Sequence, residues 1–374
     1  MKVFPIVGSI FYRRICFTNH RKNMSISKDF KLTSVSGKIR AESDLGPLVD
    51  LVGTWKGTGF NQIWRPVNVS SGACQGDHFL ELNETIETLK FDEIPGEIPN
   101  RGLFNQPDIN LAGLTYLQQV QDANVLVNNK PAGIHIEPGI WVNIPATINP
   151  TDPSTVARMA SIPHGTTFVA QGSALSINGA PNIGVVDITP FSIPPPPTPP
   201  PPPMDITPYP VGQGQSNPQP APLFPTEQCL TNKSDCRTPL DVFPAALKNP
   251  LPNPAPLSKL QQLINDPNQL LRDAIQGQNI VSTTVLNIST TDLNPPTSGG
   301  GLSNIAFLQG GPLPPGPNAQ SVRVDATFFI EKIKHKDGSN SFQLQYSQMV
   351  LLNFGPLSWP HVSVATLSKQ DHES

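Results

Sequence analysis

Leu51-Val52-Gly53-Thr54-Trp55-Lys56-Gly57-Thr58-Gly59-Phe60 decides how the chain is read. Its apolar and β-branched residues make a strand, while glycines at every second or third position mark bends, bulges or close approach of another backbone. The first strand of a closed barrel has to turn such a corner.

Outward from that stretch the strand pattern continues. Asp77 to Glu93 alternates through His78, Leu80, Leu82 and Ile86, then changes parity to Leu89 and Phe91, which predicts a bulge near Glu84. Ile98 to Asn105 reads as loop, Leu111 to Val120 as strand, and Gly133 to Ala146 as a strand with a turn or kink at Pro138-Gly139. Val156 to Ile162 and Thr166 to Ser176 form a hairpin across Pro163-His164-Gly165. Further strands follow at Ile280 to Ser289, Val322 to Ile330, Phe342 to Phe354 and Trp359 to Lys369, with Lys336-Asp337-Gly338-Ser339 as a hairpin turn.

Between Leu257 and Gln276 the period becomes helical in two pieces. Asp266-Pro267 is the expected N-cap and first turn of the second piece, and Gly277 its C-terminal cap. Roughly eight to ten antiparallel strands result, an all-β fold read as a closed up-and-down antiparallel β-barrel with a long proline-rich insertion and a short helical element.

The composition fits one domain with an insertion. The 374 residues include 44 Pro and 28 Gly, with only 14% charged and 37% hydrophobic residues, so part of the length cannot pack as core. Residues 1–44 read as a flexible N-terminal segment, 45–190 as the first part of the barrel and 191–256 as the insertion. Residues 257–369 supply the helical element and the last strands of the same barrel, and 370–374 a tail. Pro194 to Pro203 is proline except at Thr198, a polyproline II segment that serves as a spacer or as a docking ligand for a proline-motif-binding module.

The net charge of −3 offers no basic footprint for nucleic acid, and no window reaches the unbroken apolar length of a membrane span. A small-molecule ligand is the expected partner. Lys2, Arg13, Arg14, Arg21, Lys22 and Lys28 precede any acidic residue, the bias of a mitochondrial transit segment, whereas Met24 opens an ordinary cytosolic start. The expected location is cytoplasmic, with mitochondrial as the alternative. Cys16, Cys74, Cys229 and Cys236 contain no Cys-x-x-Cys pair; Cys229 and Cys236 would be free thiols or, in an oxidising compartment, a disulfide.

Candidate chemistry lies in the histidines. His361 follows Trp359-Pro360 on the last strand, where an imidazole facing a barrel cavity would serve as a metal or haem ligand, or would hydrogen-bond a neighbour as a core residue. His135 and Glu137 stand at i and i+2, share one face of a strand and can pair. His164 sits in a turn, and Trp141 is either barrel core or a wall for a cofactor. No hydrolase elbow, phosphate loop or dinucleotide fingerprint is present.

Five segments occur together in one order: Gly53-Thr54-Trp55-x-Gly57-x-Gly59, Leu114-x-Tyr116-x-Gln118, His135-x-Glu137-x-Gly139-x-Trp141, Ala160-x-Ile162-Pro163-x-Gly165, and His361 with its Val-Ser-Val. In these the chain resembles the nitrobindins, ten-stranded calycin-type barrels that bind ferric haem. The resemblance implies ferric haem b as cofactor, His361 as its axial metal ligand, and His135 and Trp141 as further cofactor-binding residues. It also implies binding of nitric oxide or related small ligands, and a haem-dependent isomerisation of peroxynitrite to nitrate. The alternatives are a calycin-type carrier of a small apolar ligand without haem, and a mononuclear metal enzyme using His135, Glu137 and His164 or His361.

Overall fold

A computed structural model describes residues 42–66, 78–102, 104–149, 151–186, 191–192, 262–263, 266–290, 302–303, 320–354 and 357–370. The proline run at 194–203, the four cysteines and the N-terminal basic segment lie outside these residues.

Ten antiparallel strands form one closed barrel. They are β1 (Gly53–Pro66), β2 (His78–Glu93), β3 (Ile109–Val127), β4 (Lys130–Ile144), β5 (Thr155–Ser161), β6 (Thr166–Asn178), β7 (Ile280–Ser289), β8 (Gln320–Lys334), β9 (Asn340–Phe354) and β10 (Leu357–Lys369). Each pairs with the next in sequence, and β10 closes onto β1 from Trp55↔Lys369 to Ile63↔His361. Closure leaves no exposed edge in the main wall. A Cβ on Gly59 would lie 2.4 Å from the Val364 carbonyl oxygen and 2.7 Å from Glu87, so the close approach inferred from the first-strand glycines is real.

One end of the barrel is stoppered. A 3-10 segment, Glu42–Leu51, kinks at Gly46 and sends Leu45, Leu48 and Leu51, each at most 1% exposed, into the core beside Trp55, Phe91 and Trp141. The Trp55 indole donates to the Leu51 carbonyl at 2.7 Å, and Lys369 Nζ donates to the Asp50 carbonyl at 2.8 Å.

Several local expectations change. The bulge near Glu84 is absent: β2 keeps an unbroken register with β1 from Gly53↔Phe91 to Pro66↔His78. The inward residues are Asn83, Thr85, Glu87, Leu89 and Phe91, all buried, while Ile86 is exposed. The parity never shifts; the barrel interior simply turns from apolar to polar along the strand. Nor does β4 turn at Pro138-Gly139, for Pro138 pairs Leu117 and Gly139 pairs Tyr116 in register. A Cβ on Gly139 would lie 2.5 Å from the Tyr116 ring, so this glycine makes room for an aromatic neighbour. The irregularity of β4 falls instead at Ile134, where the partners jump from Val120↔His135 to Gln121↔Gly133. Ile98–Asn100, read as loop, is a short strand paired with Ile109 to Leu111.

Helix α1 (Gln269–Ala274) packs on the outer wall, where Gln345 Nε2 of β9 donates to the Leu271 carbonyl at 3.0 Å. Its N-cap position is Asn268, without a side-chain cap bond, rather than Asp266. The Asp266 carboxylate is engaged by Arg272, and Gly277 at φ 75 ends the turn as expected. Among the described residues no helix is long and apolar enough to cross a membrane.

Candidate functional site

The half of the barrel away from the stopper encloses a cavity of about 480 Å³. Strand register builds its wall in rows. Ile63 of β1, His361 of β10 and Val350 of β9 are direct neighbours in one row, and Asn61, Ser363 and Gln348 occupy the next row inward. Val120, Ile134, Ile162 and Leu352 add apolar surface, and His135 and His164 bring two more imidazoles.

His361 stands where an alternating strand puts its inward side chain, two residues before Ser363 and four before Ala365 of the core. Its Nε2 atom is buried and has no hydrogen-bond partner among the described residues. Burial, reinforced by the nearby charges of His135 and His164, brings its pKa down to about 4. The imidazole is therefore neutral near pH 7 and keeps a lone pair for a metal or a hydrogen-bonded ligand.

His135 projects from β4 beside the Ile134 irregularity. Its Nε2 lies 3.2 Å from Glu137 Oε2, and its ring meets the His164 ring edge-on at 5.0 Å. The expected His135–Glu137 pair is thus formed. The β5–β6 turn delivers His164, whose pKa is lowered by burial and then by His135, with Glu137 acting in the opposite sense.

Below the cavity lies a polar network that the sequence reading did not find. Arg158 of β5 is 1% exposed and paired with Glu137, itself fully buried. Its Nε donates to the Tyr116 hydroxyl at 2.8 Å and one terminal nitrogen to Gln348 Oε1 at 2.7 Å. Tyr116 donates in turn to Glu137. The guanidinium also lies 5.2 Å from the centre of the Phe328 ring and 5.5 Å from that of Phe168. A second carboxylate, Glu87, accepts from Tyr346 at 2.6 Å and from Thr85 at 2.8 Å.

The two carboxylates are shifted in opposite directions. Burial pushes Glu137 up, but the Arg158 charge, the His135 contact and the Tyr116 hydroxyl outweigh it and bring the pKa to about 2. At Glu87 burial prevails and raises the pKa, against the hydrogen bonds from Tyr346, Thr85 and Gln118 and the charge of His135. Both tyrosines are pushed well above their ordinary value, chiefly by burial, and remain hydroxyl donors.

The structure brings His361 and His135 to one cavity but leaves Trp141 elsewhere. Trp141 is 1% exposed in the core, edge-on to Phe328 at 5.2 Å and directly paired with Arg158 across the strands. Nor does the multi-ligand metal arrangement form: among the described residues no group of three or more His, Cys, Asp or Glu could hold a metal ion. Arg158 did carry a signal, since it stands at even spacing between inward Val156 and Ala160. An arginine in that position has to bring its own carboxylate into the interior.

Compared with known proteins, the chain matches no family model, no curated protein and no solved structure.

Proposed function

We propose that this barrel binds ferric haem b in its cavity, with His361 as the single protein ligand to iron. One observation carries the reading: on a cavity of about 480 Å³ stands a buried imidazole nitrogen without a hydrogen-bond partner among the described residues. Buried polar atoms are rarely left unbonded, so a ligand that takes this nitrogen resolves the anomaly. Haem needs only one strong protein ligand, and His361 offers one.

The surroundings suit the body of the macrocycle, not its propionates. Ile63 and Val350 flank His361 in its row, with Leu352 beyond, and supply an apolar wall for a macrocycle. The described lining contains no Lys or Arg, so the propionates find no ionic partner there. Bound at His361, haem would supply an open iron face for nitric oxide or a related small ligand and, following the nitrobindin resemblance, for isomerising peroxynitrite to nitrate. The chain's own part is to keep the His361 imidazole neutral and to place His135, held by Glu137, on the same cavity.

Titration of the full chain with hemin, followed by absorption, tests the reading. A shifted Soret band saturating at one equivalent is expected, lost in His361→Ala and retained in His135→Ala. The same spectrum in His361→Ala would overturn it. A cavity that takes no hemin but binds apolar molecules would identify a haem-free carrier instead.

A further inference from the structure

We infer that Asn83, Asn61, Ser363 and Gln348 form a binding subsite for the neutral hydrogen-bonding group, an amide or hydroxyl, of an otherwise apolar small molecule. The inference goes beyond haem binding and does not rest on it.

The strand registers put these four residues in one circumferential row. Asn61 pairs with Asn83 on one side and with Ser363 on the other, and Ser363 pairs with Gln348. All four line the cavity, and Asn61, Asn83 and Gln348 are each at most 9% exposed. Neighbouring strands run about 4.8 Å apart, so adjacent members of the row can grip a single amide or hydroxyl together.

Both ends of the row are locked in orientation. Asn83 gives its Nδ2 to Asp122 at 3.0 Å, which turns its carbonyl oxygen away from that bond as an acceptor. Gln348 receives Arg158 on its Oε1 at 2.7 Å, which leaves its amide hydrogens as donors. Asp122 is itself fixed, accepting the backbone N–H groups of Asn124 at 2.8 Å and Val125 at 3.2 Å. Between the locked ends, Asn61 and Ser363 make no side-chain hydrogen bond among the described residues. The row thus offers a fixed acceptor at one end, fixed donors at the other and two adaptable groups between them.

Ligand charge follows from what the lining omits. Its described residues include no Lys, Arg, Asp or Glu. The Arg158 charge behind Gln348 is already committed to Glu137. A carboxylate on this row would therefore be buried without a cation, whereas an amide or hydroxyl would find both donor and acceptor. The row beside it, Ile63, His361 and Val350, offers the ligand's body mainly apolar contact.

Calorimetry of the full chain at pH 8, without added haem, separates the possibilities with octanamide and octanoate as probes. Octanamide is expected to bind, and octanoate about tenfold more weakly or worse. Ser363→Ala and Asn61→Leu should each weaken octanamide by about three- to tenfold and leave octanoate unchanged. Ser363→Ala is the milder change and guards against misfolding of the Asn61 variant. Equal binding of the two probes, binding of neither, or octanamide affinity untouched in both variants would overturn the subsite. Failure of hemin binding leaves these outcomes unaffected.

Discussion

The same strands build two different interiors. On β1 the inward residue is Trp55 near the stopper and Asn61 at the cavity; on β2 it is Phe91 and then Asn83. Leu114 gives way to Gln118 on β3, Leu344 to Gln348 on β9, and Leu367 to His361 on β10. Each of these pairs is separated by an even number of residues, so backbone geometry treats the two ends alike. What differs is chemistry: one end is an apolar core that holds the fold, the other a hydrogen-bonding cavity joined to it by the Arg158–Glu137 network. Facing inward and being apolar are separate properties of a strand residue.

That contrast is most severely tested at the seam. Arg158→Met leaves the Glu137 carboxylate buried without its cation, and should cost roughly 3–5 kcal/mol of stability by urea unfolding. Adding Glu137→Gln should restore more than half of the loss, because the uncompensated charge is then gone. An equal loss in the double variant would show that shape, not charge, joins the two halves.

A smaller loss is expected at the stopper. Leu48 is fully buried, so Leu48→Ala should cost about 2–4 kcal/mol through lost contact and the void left behind. The stoichiometry of hemin binding should not change, since Leu48 lies in the apolar half. Loss of hemin binding in a variant that remains folded would merge the two regions.

The mildest test compares two buried carboxylates. Glu331, on the outer side of β8, accepts from Gln343 at 2.6 Å and has no cation partner among the described residues; burial, opposed by that hydrogen bond, raises its pKa to about 7. A carboxyl whose folded pKa is raised contributes its stability below the ordinary value of 4.5 and loses it as pH rises through about 7. Glu137 has the opposite sign: its contribution is present above 4.5 and is lost as pH falls toward about 2. Thermal melts of Glu331→Gln should therefore lack part of the wild-type decline between about pH 4.5 and pH 7. An unchanged decline would remove Glu331 from the pH response.

Much of the wall was legible in the sequence because its strands are long and their periods clean. Ile280 to Ser289 and the hairpin around Pro163-His164-Gly165 lie where alternation and turn chemistry put them. The spacing of His361 from Ala365 and Leu367 likewise made its inward direction readable. Misreading began where the interior ceased to be apolar. Asn83, Thr85 and Glu87 face inward, yet alternation treats polar residues as solvent-facing, so a constant parity looked like a bulge. Arg158 was missed for the same reason. Its partners Glu137 and Tyr116 lie on other strands, and Gln348 is 190 residues away, so no local pattern announces the network. Trp141 shows the converse limit: a residue beside a matched His-x-Glu motif packs under the core and never reaches the cavity.

The 3-10 segment with its three leucines has a kinetic meaning as well. A barrel stoppered at one end is a bottle rather than a pipe: whatever reaches His361 cannot pass through, and must leave by the end from which it came. Two occupants of such a vessel exchange in order, the inner one waiting on the outer. Residence time would then be governed by the order of filling as much as by the strength of any single contact.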